Sequence, residues 1–174
     1  MKIDKMEAGA KFPEFSIPLV AGGEQKIGGS NDDNRWQLVV VYRGLHCPLC
    51  AKYLTQLEAL AGDYGEAGAS VIAISGDGIE KATEQVAKGS LKIDIGYGLT
   101  IAQMKELGLY ISHPRSPAET DQPFPEPGLF VIRPDGTVQI IDISNAPFSR
   151  PDLSAILRGV GFAKEKNYPI RGTF

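Results

Sequence analysis

The sequence predicts an α/β fold: a central mixed β-sheet flanked by helices, with a strand or hairpin added at the N-terminus. Three features predict it. Leu38–Tyr42 and Ser70–Ser75 are short apolar runs bounded by turn residues, as strands buried on both faces are. The segment between them carries apolar residues at helical spacing, so a helix joins the two strands and they run parallel with a right-handed crossover. Leu129–Ile132 and Thr137–Ile143 flank the turn Pro134-Asp135-Gly136 and add an antiparallel hairpin.

The 174 residues suffice for one domain with a sizeable core. No internal repeat or linker divides them, so residues 1–174 are read as a single domain. Hydrophobic residues at 43% and charged residues at 22% are ordinary for a globular chain. A net charge of -3 without a dense basic cluster argues against a nucleic-acid partner. No apolar run is long enough to cross a bilayer. The first residues, MKIDKMEAGAKFPEF, lack the apolar centre of a signal peptide, so a cytoplasmic location is expected.

Taken in order, Phe15, Ile17 and Leu19 alternate with polar or turn residues as a short strand does, and Gln25–Ile27 returns after the turn Ala21-Gly22-Gly23. Gly28–Asn34 is a polar loop, and Leu38–Tyr42 is the first central strand. The first helix runs from Cys47 to Ala61 and ends near Gly62 or Gly65. Ser70–Ser75 is the second central strand. Asp77–Lys88 is a helix, with Asp77 and Glu80 as a capping box and Gly89 as its stop. Ile93–Tyr97 is a short strand, and Thr100–Leu107 a short helix with Thr100 and Gln103 as a second box. Ile111–Pro127 holds five prolines in 17 residues, which excludes a regular helix or a central strand. Loops this long are uncommon and often functional. Pro151 opens a last helix with the core stripe Leu153, Ile156, Leu157 and Val160. The tail Asn167–Phe174 carries no pattern.

Both cysteines lie where the first central strand turns into a helix, in Arg43-Gly44-Leu45-His46-Cys47-Pro48-Leu49-Cys50. Two cysteines are too few for a disulfide scaffold, and a Cys-x-x-Cys beside a βαβ pattern reads as a redox motif. The first N–H groups of a helix lack intrahelical partners, and the macrodipole is positive there, so both effects favour a thiolate. Cys47 is therefore expected to have a depressed pKa and to be the attacking sulfur facing the loop and solvent. Cys50 shares the stripe of Leu54 and Leu57 and is the sheltered, resolving thiol. His46 as a cation would stabilise the thiolate or protonate a leaving group, and its plainer reading is a surface histidine. Arg43 is a charge near the thiol, with a surface salt bridge as its plainer reading. Tyr42 reads as core and His113 as exposed loop. Cys47, Cys50 and His46 offer three metal ligands, whereas a closed zinc site usually takes four, so no metal or other cofactor is assigned.

The segments FPEFSIPL, VVVYRGLHCPLCAKYLTQLE, SVIAISGD and PGLFVIRPDG resemble the peroxiredoxin-like branch of the thioredoxin superfamily, related to alkyl hydroperoxide reductase and thiol-specific antioxidant (AhpC/TSA). The resemblance covers about Phe12 to Val160 and implies a thioredoxin-like fold. It further implies a cis-proline facing the cysteines, at Pro127, with the backbone of Glu126 exposed to pair with an extended substrate. Peroxiredoxins place proline and threonine seven and three residues before the reactive cysteine, where this chain has Val40 and Gly44. Their arginine before Gly-Leu-Phe is replaced by Pro127. Those groups orient peroxide and stabilise developing charge. Their replacement points to dithiol–disulfide exchange, with a protein or small-molecule disulfide as substrate and a thiol as reductant. Two alternatives are a peroxidase that reduces hydroperoxides through Cys47 and a non-enzymatic binding or metal-carrying module. Related folds often dimerise, so by analogy a homodimer is expected.

Overall fold

A computed structural model describes residues 5–174. Strands β1 (Phe15–Pro18) and β2 (Glu24–Ile27) pair antiparallel as an N-terminal hairpin. The central sheet takes β3 (Trp36–Val41), β4 (Ala69–Ile74), β5 (Asp94–Gly96), β8 (Gly128–Ile132) and β9 (Val138–Ile143) in the order β5-β4-β3-β8-β9. The strands β3, β4 and β5 run parallel, and β8 and β9 are antiparallel to their neighbours. The expected mixed sheet is thus present, with β3 at its centre.

Helix α1 (Pro48–Glu66) crosses from β3 to β4, and α2 (Ile79–Gly89) from β4 to β5. Two right-handed crossovers in one direction put both helices on one face of the sheet. Helix α4 (Leu153–Glu165) joins them there, while the short α3 (Ile101–Glu106) lies on the other face with the hairpin. Alternation along β3 divides the core accordingly. Leu38, Val40 and Tyr42 pack with Leu54 and Leu57 of α1 and Val160 of α4. Val39 and Val41 pack with Phe130, Met104 and the hairpin residues Ile17 and Ile27. Among the described residues no helix is long and apolar enough to cross a membrane.

Several boundaries differ from the sequence expectation, each for a local reason. Helix α1 continues through Gly62 and Gly65 to Glu66, because Tyr64 is fully buried and its hydroxyl donates to the Leu153 carbonyl at 2.7 Å. That anchoring outweighs the low helix propensity of two glycines. The stop after α2 is Ser90, at φ 49, one residue beyond Gly89. Asp77 does not cap α2: the N-cap is Gly78, without a side-chain hydrogen bond. Pro151 does not open α4 either, since Asp152 is the N-cap and accepts from the Ala155 N–H at 2.8 Å. Thr100 and Gln103 do form their capping box. Within the proline-rich stretch, β6 (Ile111–Ser112) and β7 (Phe124–Pro125) pair, which pins both ends of the loop together.

Candidate active site

The chain leaves β3 at Val41 and turns at Arg43–His46 before α1 begins. The turn is held from below by Asp77, whose carboxylate accepts from the Leu45 N–H at 2.8 Å. Gly44 sits at φ 140, and a Cβ there would come within 2.8 Å of the same carboxylate. A side chain at this position is excluded by conformation and by space. Asp77 itself is 3% exposed, and burial raises its pKa. The acidic residue read as a cap therefore acts in tertiary structure, on the reactive turn.

Cys47 is the N-cap of α1, with Pro48 at the first helical position. Its sulfur accepts from the Cys50 N–H at 3.2 Å, so one otherwise unpaired amide of the helix start is used on sulfur. The Cys47 pKa is lowered to about 6. The largest cause is the Cys50 thiol, which hydrogen-bonds to the thiolate; the Cys50 amide and the Arg43 charge add to it, against burial. Cys50 moves the opposite way, well above the thiol range, because it is the donor in that pair and is buried. The two sulfurs are free thiols. The two thiols shift in opposite directions, but the difference in exposure expected from the sequence is absent: Cys47 is 2% exposed and Cys50 0%. Cys47 reaches solvent only as part of the wall of a cavity of about 460 Å³, which it shares with Arg43, His46, Ser112, His113 and Phe148.

The proline-rich segment forms the opposite wall. Phe124 lies against both the Arg43 guanidinium, 4.7 Å from the ring centroid, and the His46 ring, 4.5 Å between centroids. Arg43 pairs with Glu126, Nε to Oε2, at 3.2 Å, and Glu126 accepts from the Ser112 hydroxyl at 2.6 Å. Arg43 is thus built into the site rather than engaged in a surface salt bridge. His46 is only half-buried, yet its pKa is lowered, chiefly by desolvation and then by Arg43. Neither ring nitrogen has a partner in the protein. Burial and the Arg43 charge both disfavour the cationic form, the first of the two readings offered by the sequence. Tyr42 is core, fully buried behind the turn, and His113 is exposed at the cavity mouth.

The expected cis bond before Pro127 is absent: no cis peptide occurs among the described residues. The reason lies in the neighbouring pairing. The Glu126 N–H donates to the Tyr110 carbonyl at 2.8 Å, and the Pro127 carbonyl accepts from the Ser144 N–H at 3.0 Å. This backbone enters β8 in trans with its groups already paired. Val41 stands opposite Gly128 in the sheet, so Pro127 lies next to the start of the reactive turn. Glu126 and Pro127 are buried and do not line the cavity. Sequence reasoning missed Asp77, Ser112 and Phe124 as parts of the site. No periodic signal marks the last two, since their positions come from a loop pairing with itself.

Residues 8–141 match the family model described as AhpC/TSA family. The chain belongs to the AhpC/TSA family. That makes it a thiol-dependent oxidoreductase with a peroxiredoxin-type α/β fold. None of the curated proteins matches. Among solved structures, a peroxiredoxin-like protein from Aquifex aeolicus is similar over 90% of this chain and 86% of that one, at a TM-score of 0.74 and 16% identity. A cysteine-to-serine mutant of peroxiredoxin 6 from Arenicola marina is similar over 93% and 75%, at a TM-score of 0.74 and 20% identity. Peroxidoxin BcpB from Mycobacterium tuberculosis is similar over 94% and 99%, at a TM-score of 0.69 and 16% identity. At these identities the likeness is one of fold.

Proposed function

We propose that this AhpC/TSA protein is a dithiol–disulfide oxidoreductase working through Cys47 and Cys50. The observation that carries the reading is the hydrogen-bonded pair at the start of α1, an acidic Cys47 accepting from a buried Cys50. The Cys47 thiolate attacks one sulfur of a substrate disulfide, forms a mixed disulfide and releases the other sulfur as a thiolate. With Cys47 now bonded and neutral, the hydrogen bond that held the Cys50 proton is gone. Cys50 loses that proton and attacks the Cys47 sulfur. The products are the Cys47–Cys50 disulfide and a second free thiol; the protein is oxidised and the substrate reduced by two electrons. A thiol reductant then restores the pair. Arg43 supports the thiolate by charge.

Family membership favours a second reading, in which Cys47 is oxidised by a hydroperoxide to a sulfenic acid and Cys50 condenses with it, releasing water. Against efficient peroxide reduction stand Val40, Gly44 and Pro127, where the resemblance to peroxiredoxins leads one to expect proline, threonine and arginine. The two readings separate by rate. Wild type, Cys47→Ser and Cys50→Ser are compared for reduction of insulin disulfides and for consumption of hydrogen peroxide. Faster insulin turnover that needs both cysteines supports exchange. Fast peroxide consumption with no insulin turnover overturns it in favour of the peroxidase.

A further inference from the structure

The mechanism above uses Arg43 as a charge near sulfur and leaves Glu126 without a task. Glu126 is nonetheless a buried acid of the site, with a side chain 4% exposed and two partners, Arg43 and the Ser112 hydroxyl. Burying a carboxylate is costly unless it is paired and hydrogen-bonded. Its partner Arg43 is also anchored by the Phe124 ring, so the guanidinium does not depend on Glu126 alone for its place. The Nε–Oε2 pair is close at 3.2 Å but misaligned for a hydrogen bond, as both atoms otherwise lack partners. Arg43 and Ser112 line the same cavity as Cys47. One guanidinium is therefore paired with a buried carboxylate and lines the same cavity as the Cys47 sulfur.

We propose that Glu126 is a positioning residue that divides the Arg43 charge between itself and the Cys47 sulfur, with Ser112 setting the division. The proposal rests on Cys47 being the attacking sulfur. The Ser112 hydroxyl donates to Oε1 and draws off part of the carboxylate's charge, so it weakens the hold on Arg43 and leaves more of the cation for sulfur. The proline-rich segment thereby sets the reactivity of a residue it does not contact through hydrogen bonds. The other charged or titratable groups around the two sulfurs are His46 on the turn, Asp77 beneath it and Arg150 near Cys50. Arg115 and Glu119 pair with each other at the mouth, and Lys81 pairs with Asp121 outside it. All of these remain in place in the variants below.

Two variants test the division with opposite expected signs. In Glu126→Gln the amide oxygen can face Arg43 while the amide nitrogen donates to Ser112 Oγ, so the shape of the site is kept and the negative charge is removed. In Ser112→Ala the carboxylate stays and loses its hydrogen bond. The readout is the pH midpoint of Cys47 alkylation by iodoacetamide in the reduced full chain, followed by intact mass, with folding checked by circular dichroism. Glu126→Gln should lower the midpoint by about one pH unit, roughly tenfold more thiolate at a given acidic pH. Ser112→Ala should raise it, with about twofold less thiolate. A Glu126→Gln midpoint at or above wild type overturns the proposal and makes Glu126 a mere anchor. Should that variant not fold, a Ser112→Ala midpoint at or below wild type overturns it. Failure of the Cys47 reading shows separately, as a wild-type midpoint in the ordinary thiol range. The directions of the two variants are read against whichever midpoint wild type has.

Discussion

The Cys47 thiol is drawn below its ordinary range by three groups around a buried sulfur: the Cys50 thiol, the Cys50 amide and the Arg43 charge. Burial alone would push the thiol the other way, and the three groups outweigh it. The pH dependence follows with a definite sign. Alkylation of Cys47 should rise as pH passes about 6 and level off by neutrality, whereas an ordinary thiol would still be climbing near pH 8.5. The folded-state value lies below the unfolded one, so the unfolded chain binds more protons between the two. Stability should therefore increase with pH from about 6 to the ordinary thiol range and be lost as pH falls through about 6. Chemical denaturation of wild type against Cys47→Ser across that window checks it, since the serine variant should lose the slope above about pH 7 and keep only what the lowered His46 contributes at the lower end. Burial and Arg43 disfavour the His46 cation, so replacing His46 with glutamine should leave the Cys47 midpoint nearly unmoved.

The turn between β3 and α1 is the element on which the site depends. Gly44 combines φ 140 with a close approach to Asp77, so Gly44→Ala strains the backbone and pushes on the carboxylate that holds Leu45. We expect a loss of roughly 1–3 kcal/mol in stability and slower alkylation of Cys47, measured by urea unfolding and by trapping with iodoacetamide. Legibility in the sequence followed how local each element was. The Thr100–Gln103 box is a contact within one helical turn and was readable. Cys47 at the start of α1 was readable for the same reason, from a strand pattern meeting a helical one. Asp77 resembled a cap by spacing alone, but its carboxylate is taken by Leu45, 32 residues away in sequence. The proline-rich stretch was readable as irregular, yet the β6–β7 pairing that brings Ser112 and Phe124 to Arg43 spans its whole length and leaves no periodic trace. The trans bond before Pro127 belongs to the same class: backbone pairing with Tyr110 and Ser144 decided it, and neither partner is local.

Across the whole molecule, the sheet and its crossovers were legible because buried parallel strands announce themselves as unbroken apolar runs. The division of the core into two faces follows from alternation along β3. Phe130, on the face away from α1, is fully buried and meets Phe12 edge-on at 5.1 Å between centroids. Phe130→Ala should cost about 3–5 kcal/mol in denaturant unfolding while leaving the Cys47 midpoint in place, because it empties the hairpin side of the sheet and not the reactive side. Fold and chemistry meet only at the C-terminal end of β3, where one strand end carries the turn, the helix start and the contact with the proline-rich loop. The roles assigned to the two sulfurs are tested by trapping. Reduced Cys50→Ser and Cys47→Ser are each incubated with an oxidised low-molecular-weight disulfide, and intact mass is read with peptide mapping. Cys50→Ser should accumulate a stable mixed disulfide on Cys47, and Cys47→Ser should remain unmodified at Cys50. Rapid adduct formation on Cys50 in the absence of Cys47, with none on Cys47, would contradict the assignment.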